Sequence, residues 1–390
     1  MSIDTPELAE KIDELSAAQI LLVQNSVDIN KYKLLYSSIK TVLKHAVNIQ
    51  TLNNGFVYIV NNDDIIQDGD TISDIDTNFF TVIMIGSDYI PSGWYASVSI
   101  QGTNAVVSRY IAFDDINGDF LKKWGSTGSS NGEFNLPRGI AINKTNIFAV
   151  DRDNNRVQIF DLNGNYVSQF GSVGITDGLF TNPVGIYVND TNIFVVDSGN
   201  NRVQKFDLVG SFVSKFGSFG TTNGLFDAPR GIFVNSTNIF ITDRGNDRVQ
   251  IFDLAGVYVD QFGSTGSTDG LFDAPEDLDA NETNIFVTDK NNNRVQIFDL
   301  SGVYVDQFGS IGSGDGEFNN VRGICINETN IFVTDSTNNN IQKFDLVGNF
   351  ILKFGSFGVS SGQFDNVLFV CVKDKILYTS DDNDRIQKFI

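Results

Sequence analysis

From Phe134 onward the chain alternates short apolar runs with polar turns at a spacing suited to strands. Gly139 to Ile142 is apolar, Asn143 to Asn146 is polar, and Ile147 to Val150 is apolar again. Asp151 to Asn155 makes a second polar stretch and Arg156 to Phe160 a third run. Asp161 to Asn165 turns around Gly164, and Tyr166 to Phe170 is a fourth run. Short runs rich in β-branched and aromatic side chains, punctuated by Asn, Asp and Gly, predict an antiparallel meander of four strands.

The same pattern returns every 46 residues, six times from Gly118 to the last residue. A large aromatic followed by Gly-Ser recurs at Trp124, Phe170, Phe216, Phe262, Phe308 and Phe354. An Asp opening a polar turn recurs at Asp151, Asp197, Asp243, Asp289, Asp335 and Asp381. A fixed period of this length marks a repeat architecture. One four-stranded sheet cannot cover both of its faces, whereas six packed face to face around an axis can, so the array predicts a β-propeller. The last copy has runs at Val367 to Val372, Lys375 to Thr379 and Arg385 to Phe389, and then stops one strand short. A spare fourth strand, residues 118–124, lies ahead of the first full unit. The two ends are therefore expected to share the sixth blade and hide two sheet edges.

The repeats resemble the NHL family. The matching residues are Phe134-Asn-Leu-Pro-Arg-Gly-Ile140, Val150-Asp-Arg-Asp-Asn-Asn-Arg-Val-Gln-Ile-Phe160 and Tyr166-Val-Ser-Gln-Phe-Gly171, with four further close copies and a degenerate sixth. The resemblance implies a six-bladed propeller over residues 118–390, of a kind used mostly to bind proteins or nucleic acids, with a minority of lyases and hydrolases. It says nothing about residues 1–117.

Residues 1–50 read as an N-terminal helix. Thr5 suits an N-cap, Pro6 the first helical position, and Glu7, Glu10 and Asp13 the positive helix start. Leu8, Leu15, Leu22, Ile29, Tyr36 and Leu43 form an apolar heptad series, and Lys11, Ala18, Asn25, Tyr32, Ile39 and Ala46 a weaker companion. This suggests a coiled coil, and hence a homo-oligomer, a trimer by expectation; the alternative is a helix lying on its own β domain. Residues 51–117 read as a small β domain with strands at Phe56–Val60, Phe79–Ile85, Trp94–Ile100 and Val106–Phe113. The acidic stretch Asp63 to Asp76 could attract calcium, yet its spacing fits no EF-hand loop, and solvated acidic turns are commoner.

Composition narrows the partners. The chain has 27 basic against 48 acidic residues, a formal charge of −21, which disfavours nucleic acid as a partner. RNA-binding NHL relatives use a basic face, and this sequence departs from that. No apolar run of 18 residues occurs, and residues 1–14 are too acidic for a secretory signal, so no membrane insertion is expected. Cys325 and Cys371, one repeat apart, are expected as free thiols in the same interblade layer. Asn-x-Thr at positions 143, 189, 235, 281 and 327 is better explained by turn chemistry than by glycosylation. The repeated Asp151 and Arg156 types are expected to cap amides and bond carbonyls.

Positions that vary between blades cannot be demanded by the shared fold. The residue before each Gly-Ile pair runs Arg138, Val184, Arg230, Glu276, Arg322 and Leu368, placing arginines on alternate blades. These should ring the channel mouth, near the variable Arg152, Ser198, Arg244, Lys290, Ser336 and Asp382. The candidate binding residues are Arg138, Arg230, Arg322, Arg152, Arg244 and Lys290, for a protein or glycan ligand carrying carboxylates. Catalysis is not expected: the one histidine, His45, precedes the propeller, so histidine-ligated metal chemistry in the channel has no residues there. No catalytic residues, metal or cofactor are assigned. The leading reading is a non-catalytic attachment or structural protein of virion or phage fibre type, with an intracellular scaffold as the alternative, in the cytoplasm. A carboxylate-only calcium hydrolase using Glu276, Asp277 or Asp279 is the third.

Overall fold

The computed structural model describes residues 116–390 and, before them, the strands Ile20–Leu22, Asn48–Thr51, Val57–Val60, Thr71–Ile72, Ile83–Ile85, Trp94–Gln101 and Asn104–Ala112. The chain divides into two compact units, residues 1–115 and 116–390. In the first unit, Ile20–Leu22 pairs antiparallel with Ile83–Ile85, and Asn48–Thr51 pairs with Val57–Val60. Trp94–Gln101 and Asn104–Ala112 form a hairpin. The expected helix over residues 1–50 therefore does not run through Ile20–Leu22, which includes the heptad position Leu22. An Ile-Leu-Leu run is as competent in a strand as in a helix, and a long-range strand partner overrides its local heptad pattern. The other heptad positions, His45, the turn at Pro91 and the aspartates between Asp63 and Asp76 lie outside the described residues.

The second unit is a ring of six four-stranded antiparallel sheets. The inner strands of blades 1 to 6 are Pro137–Ile142, Ile186–Val188, Pro229–Val234, Pro275–Ala280, Val321–Ile326 and Phe369–Lys373. In blade 1 the further strands are Asn146–Asp151, Arg156–Asp161 and Tyr166–Phe170, the four runs read from the sequence. Blade 6 is completed by Phe120–Trp124, which pairs with Arg385–Phe389, while Asp119 and Ile390 exchange backbone hydrogen bonds at 2.8 and 3.0 Å. The two ends latch as expected.

Alternation within each strand sends one set of side chains to each neighbouring blade, and six hydrophobic layers result. The layer between blades 1 and 2 joins Phe148, Val150 and Val157 to Phe180, Ile193 and Phe206. Three aromatic positions of the repeat meet in each layer: Phe206 stacks on Phe170 at 4.8 Å and on Phe180 at 5.5 Å. Trp124 takes the Phe170 place at the latch, against Phe160 and Tyr378.

Polar groups fasten the top of each blade, the face where the second-to-third turns and the interblade connections emerge. Asp151 accepts the Asn135 N–H at 2.8 Å and pairs with Arg156 Nε at 2.7 Å. The Arg156 guanidinium donates onward to the carbonyls of Ser129, Ser130 and Glu133. Gln158 joins the same network through the Glu133 carbonyl and the Gly132 N–H. The turn ends on Asn155, which is left-handed (φ 53°), and its side-chain oxygen accepts the Asn182 N–H of the next blade at 2.8 Å. Asp384 makes the equivalent bond to Leu136 N at 2.7 Å, so the clamp also crosses the latch. At the bottom, Asn143 Oδ1 accepts from Thr145 N, Thr145 Oγ1 and Asn146 N. The Asn-x-Thr triplets are thus side-chain-capped turns.

Candidate functional site: a cationic mouth over a closed channel

The inner strands enter the ring at its top, one residue after a proline or valine in each blade. The next residue is the variable one, and its backbone is held in place. The Thr242 hydroxyl donates to the Glu276 carbonyl at 3.0 Å, Thr288 to that of Arg322 at 2.6 Å, Thr334 to that of Leu368 at 3.0 Å, and Ser380 to that of Arg138 at 2.9 Å. Each hydroxyl comes from the preceding blade. The mouth therefore rests on rigid strands and not on free loops.

Arg138, Arg230 and Arg322 come together with Arg152, Arg244 and Lys290, as the alternation suggested. Sequence reasoning did not place Glu276 at their centre. Its side chain is buried, 3.2 Å from Arg244 Nε and 3.8 Å from Arg322 Nη1. Burial opposes ionisation of Glu276, but Arg230, Arg322, Arg244 and Lys290 outweigh it and hold its carboxyl below the usual range. Arg138 pairs with Asp382 at 3.4 Å. Burial pushes Arg138 down to about 10, against Asp382 and with help from Arg322 and Arg152, and it also lowers Arg230 and Lys290.

The cluster is charge-rich and donor-rich. Six cations surround Glu276 and Asp382, with Asp153 beside Arg152. The Nε atoms of Arg152, Arg230, Arg244 and Arg322 are buried without a hydrogen-bond acceptor, and Glu276 Oε2 is buried without a donor; the Arg244–Glu276 approach is an ion pair but not an aligned hydrogen bond. Native proteins rarely leave such groups unmatched. Guanidinium donors converging from several blades are suited to receiving carboxylate or phosphate oxygens. The register had put Glu276 on the mouth ring with the three arginines; what it did not give is the burial of this carboxylate among them.

In the same register as the arginines, Val184 and Leu368 pack with Phe369 in a buried apolar cluster. A cavity of about 290 Å³ follows, lined by the inner strands. Here Asp277 stands where four blades have glycine, and Asp279 stands where the others have Ala141, Tyr187, Phe233, Cys325 and Cys371. Asp277 accepts the Ile324 N–H at 3.2 Å and Asp279 the Ile326 N–H at 2.8 Å. Burial pushes Asp277 up to about 8 and Asp279 up to about 6. Cys325 and Cys371 are free thiols, and contact with Cys371 together with burial raises Cys325 well above the usual thiol range.

A family model described as a 6-bladed beta-propeller matches residues 133–217 and 267–354. No curated protein matches the sequence. Among solved structures, a protein of unknown function from Bacteroides thetaiotaomicron is similar at a TM-score of 0.54 and 18% identity, over 88% of this chain and 92% of that one. A streptogramin B lyase is similar at 0.51 and 13%, over 70% and 97%. A gluconolactonase from Xanthomonas campestris is similar at 0.51 and 13%, over 66% and 87%. At these identities the likeness concerns the fold.

Proposed function

Taking as premise that this chain is a six-bladed β-propeller protein, we propose that it is a non-catalytic binding protein whose cationic mouth receives an anionic group of a protein or glycan. The observation that carries this reading is the set of four buried arginine Nε atoms without acceptors around Glu276. In a protein of net charge −21, such a concentration of cations is local and has to be held together by the fold. A ligand carboxylate would supply the missing acceptors, and Glu276 already stands as an internal example of the group the arginines hold. The propeller contains no histidine, so the acid–base and metal-ligating roles that histidine fills elsewhere have no residue here.

The test is calorimetric titration with an oligogalacturonate and an oligoglutamate peptide at low and moderate salt. Arg230 and Arg322 keep Glu276 ionised, so Arg138→Ala, Arg230→Ala and Arg322→Ala are combined in a Glu276→Gln background. Binding should fall by about a hundredfold or more, since the loss of even two hydrogen bonds to a charged group, at about 1.5 kcal/mol each, already gives that. Glu276→Gln alone should strengthen it. Equal affinity in all variants would refute the reading. For the whole chain, we propose a fibre-type attachment protein of a virion, with residues 1–115 assembling a trimer and the propeller as its head; a monomer by light scattering at micromolar concentration would argue instead for the cytoplasmic scaffold.

A further inference from the structure

The cavity lined by the inner strands is a second candidate site, since none of the mouth arginines lines it. Two kinds of wall face each other across it. On one side Tyr187 and Phe233 pack edge to face with ring centroids 5.6 Å apart. On the other stand Asp279 and, a step above, Asp277, with the Cys325 and Cys371 thiols beside them. Tyr187 on blade 2 lies close enough to feel both Asp279 on blade 4 and Cys371 on blade 6, so side chains of alternate blades converge on the axis.

The cavity lacks a countercharge. No lysine or arginine lines it. Elsewhere the buried carboxylates have cationic partners: Asp151, Asp197, Asp243, Asp289 and Asp381 pair with Arg156, Arg202, Arg248, Arg294 and Arg385, and Glu276 with Arg244. Asp335, opposite Asn340 in place of the arginine, and Asp384, which accepts from Thr127 Oγ1 and Leu136 N, are the other exceptions. A buried carboxylate without a cationic partner invites an external cation. The Asp279 oxygens accept the backbone N–H groups of Ala280 and Ile326, each at 2.8 Å, and the Cys325 thiol also bonds this carboxylate, which keeps one further lone pair. Among the described residues no three metal-ligating side chains are grouped, so a bare metal ion would lack ligands. An organic cation needs fewer: one carboxylate and aromatic rings suffice.

We propose that this cavity binds a small organic ammonium ion, its nitrogen held by Asp279 and its alkyl part against Tyr187 and Phe233. The volume, at about 30 Å³ per water-sized unit, limits the guest to on the order of ten non-hydrogen atoms. Asp279, pushed up to about 6 by burial, is largely ionised at pH 7.5, and Tyr187, pushed up to about 12, stays a neutral phenol. The acidity of the whole chain favours entry of cations.

The experiment is titration calorimetry on the full chain at pH 7.5 with n-butylammonium and tetramethylammonium, and with 1-butanol as the neutral comparator. Both ammonium ions should bind with dissociation constants of about a millimolar or tighter, and 1-butanol at least about tenfold more weakly. Asp279→Asn keeps an acceptor for the Ile326 N–H and should weaken ammonium binding by about tenfold or more. Tyr187→Leu is the second variant, with a smaller loss and no change in buried charge. Asp306→Asn, at an exposed carboxylate on the outermost strand of blade 4, should leave ammonium binding unchanged. Absence of ammonium binding at tens of millimolar, equal binding of 1-butanol, or unaltered binding by both cavity variants in a folded protein would overturn the proposal.

Discussion

Replacing Asp277 with Asn should stabilise the propeller at neutral pH and lower its stability slightly near pH 4. Asp277 is buried, and burial, backed by Asp279 and Glu276, pushes its carboxyl from an ordinary 3.8 up to about 8, against the N–H groups of Ile324 and Leu278. Between these values the folded chain holds a proton that the unfolded chain has released, so stability falls as pH rises from about 4 to about 8. Each pH unit is worth about 1.36 kcal/mol for one proton, giving about 4 kcal/mol at pH 7. The asparagine oxygen can still accept the Ile324 N–H, while incomplete pairing of the new amide N–H₂ takes back about 1 kcal/mol. A net gain of about 3 kcal/mol corresponds to about 6 °C in Tm for a domain of this size. Thermal melts of both proteins from pH 4 to pH 8 provide the assay. Their Tm difference should widen steadily with pH, and the other buried acids, present in both proteins, largely cancel. A difference that is flat with pH, or that grows towards acid, would refute the reasoning.

Two further outcomes follow from the ring. Deleting residues 1–124 removes the strand that pairs with Arg385–Phe389 and should give aggregation on size-exclusion chromatography, whereas deleting residues 1–112 should leave a soluble propeller; like behaviour of the two would contradict the latch. Asn340→Arg restores to blade 5 the arginine of the other blades, opposite Asp335, whose carboxyl burial pushes up. It should raise stability by about 1–3 kcal/mol in urea unfolding, since hydrogen bonds to charged groups contribute about that much; a loss of stability would show that the arginine needs more than its Asp partner.

Much of this was legible because the unit is written six times. A single copy of Gly139 to Phe170 could have been read as any meander, but six copies with a missing fourth strand identified both the ring and its latch. The amide bond of Asp151 and the carbonyl bonds of Arg156 were expected from the repeat, while their direct pairing at 2.7 Å was not. Two further polar features could not be anticipated: the Asn155 clamp and the Gln158 bridge act between segments some 25 residues apart or between blades, and no local pattern announces them. At Ile20–Leu22 local pattern misled, because the heptad spacing of Leu22 says nothing about Ile83–Ile85, which pairs with that run. The mouth arginines were found by comparing blades. The burial of Glu276 among them was not, because depth along the axis is set by packing and not by spacing.

The departures in blade 4 have a physical meaning that the other blades make measurable. Positions 276, 277 and 279 are Glu, Asp and Asp, where blade 1 has Arg138, Gly139 and Ala141. The blade 1 residues show what the fold tolerates without strain: Gly139 lets its N–H reach the Val184 carbonyl at 3.0 Å, and Ala141 packs in the interblade layer. Asp277 fits only because Gly231 in the neighbouring blade has no side chain; a Cβ there would lie 2.6 Å from Asp277 Oδ1. Asp277 and Asp279, which burial penalises on an otherwise repetitive scaffold, lower stability at neutral pH, and Glu276, held ionised by its cations, keeps Oε2 unmatched. Such local losses are expected at sites that bind, where complementarity to a ligand replaces complementarity within the protein. Glu276 faces the mouth and Asp279 the cavity, so one strand carries an acid to each of the two candidate sites.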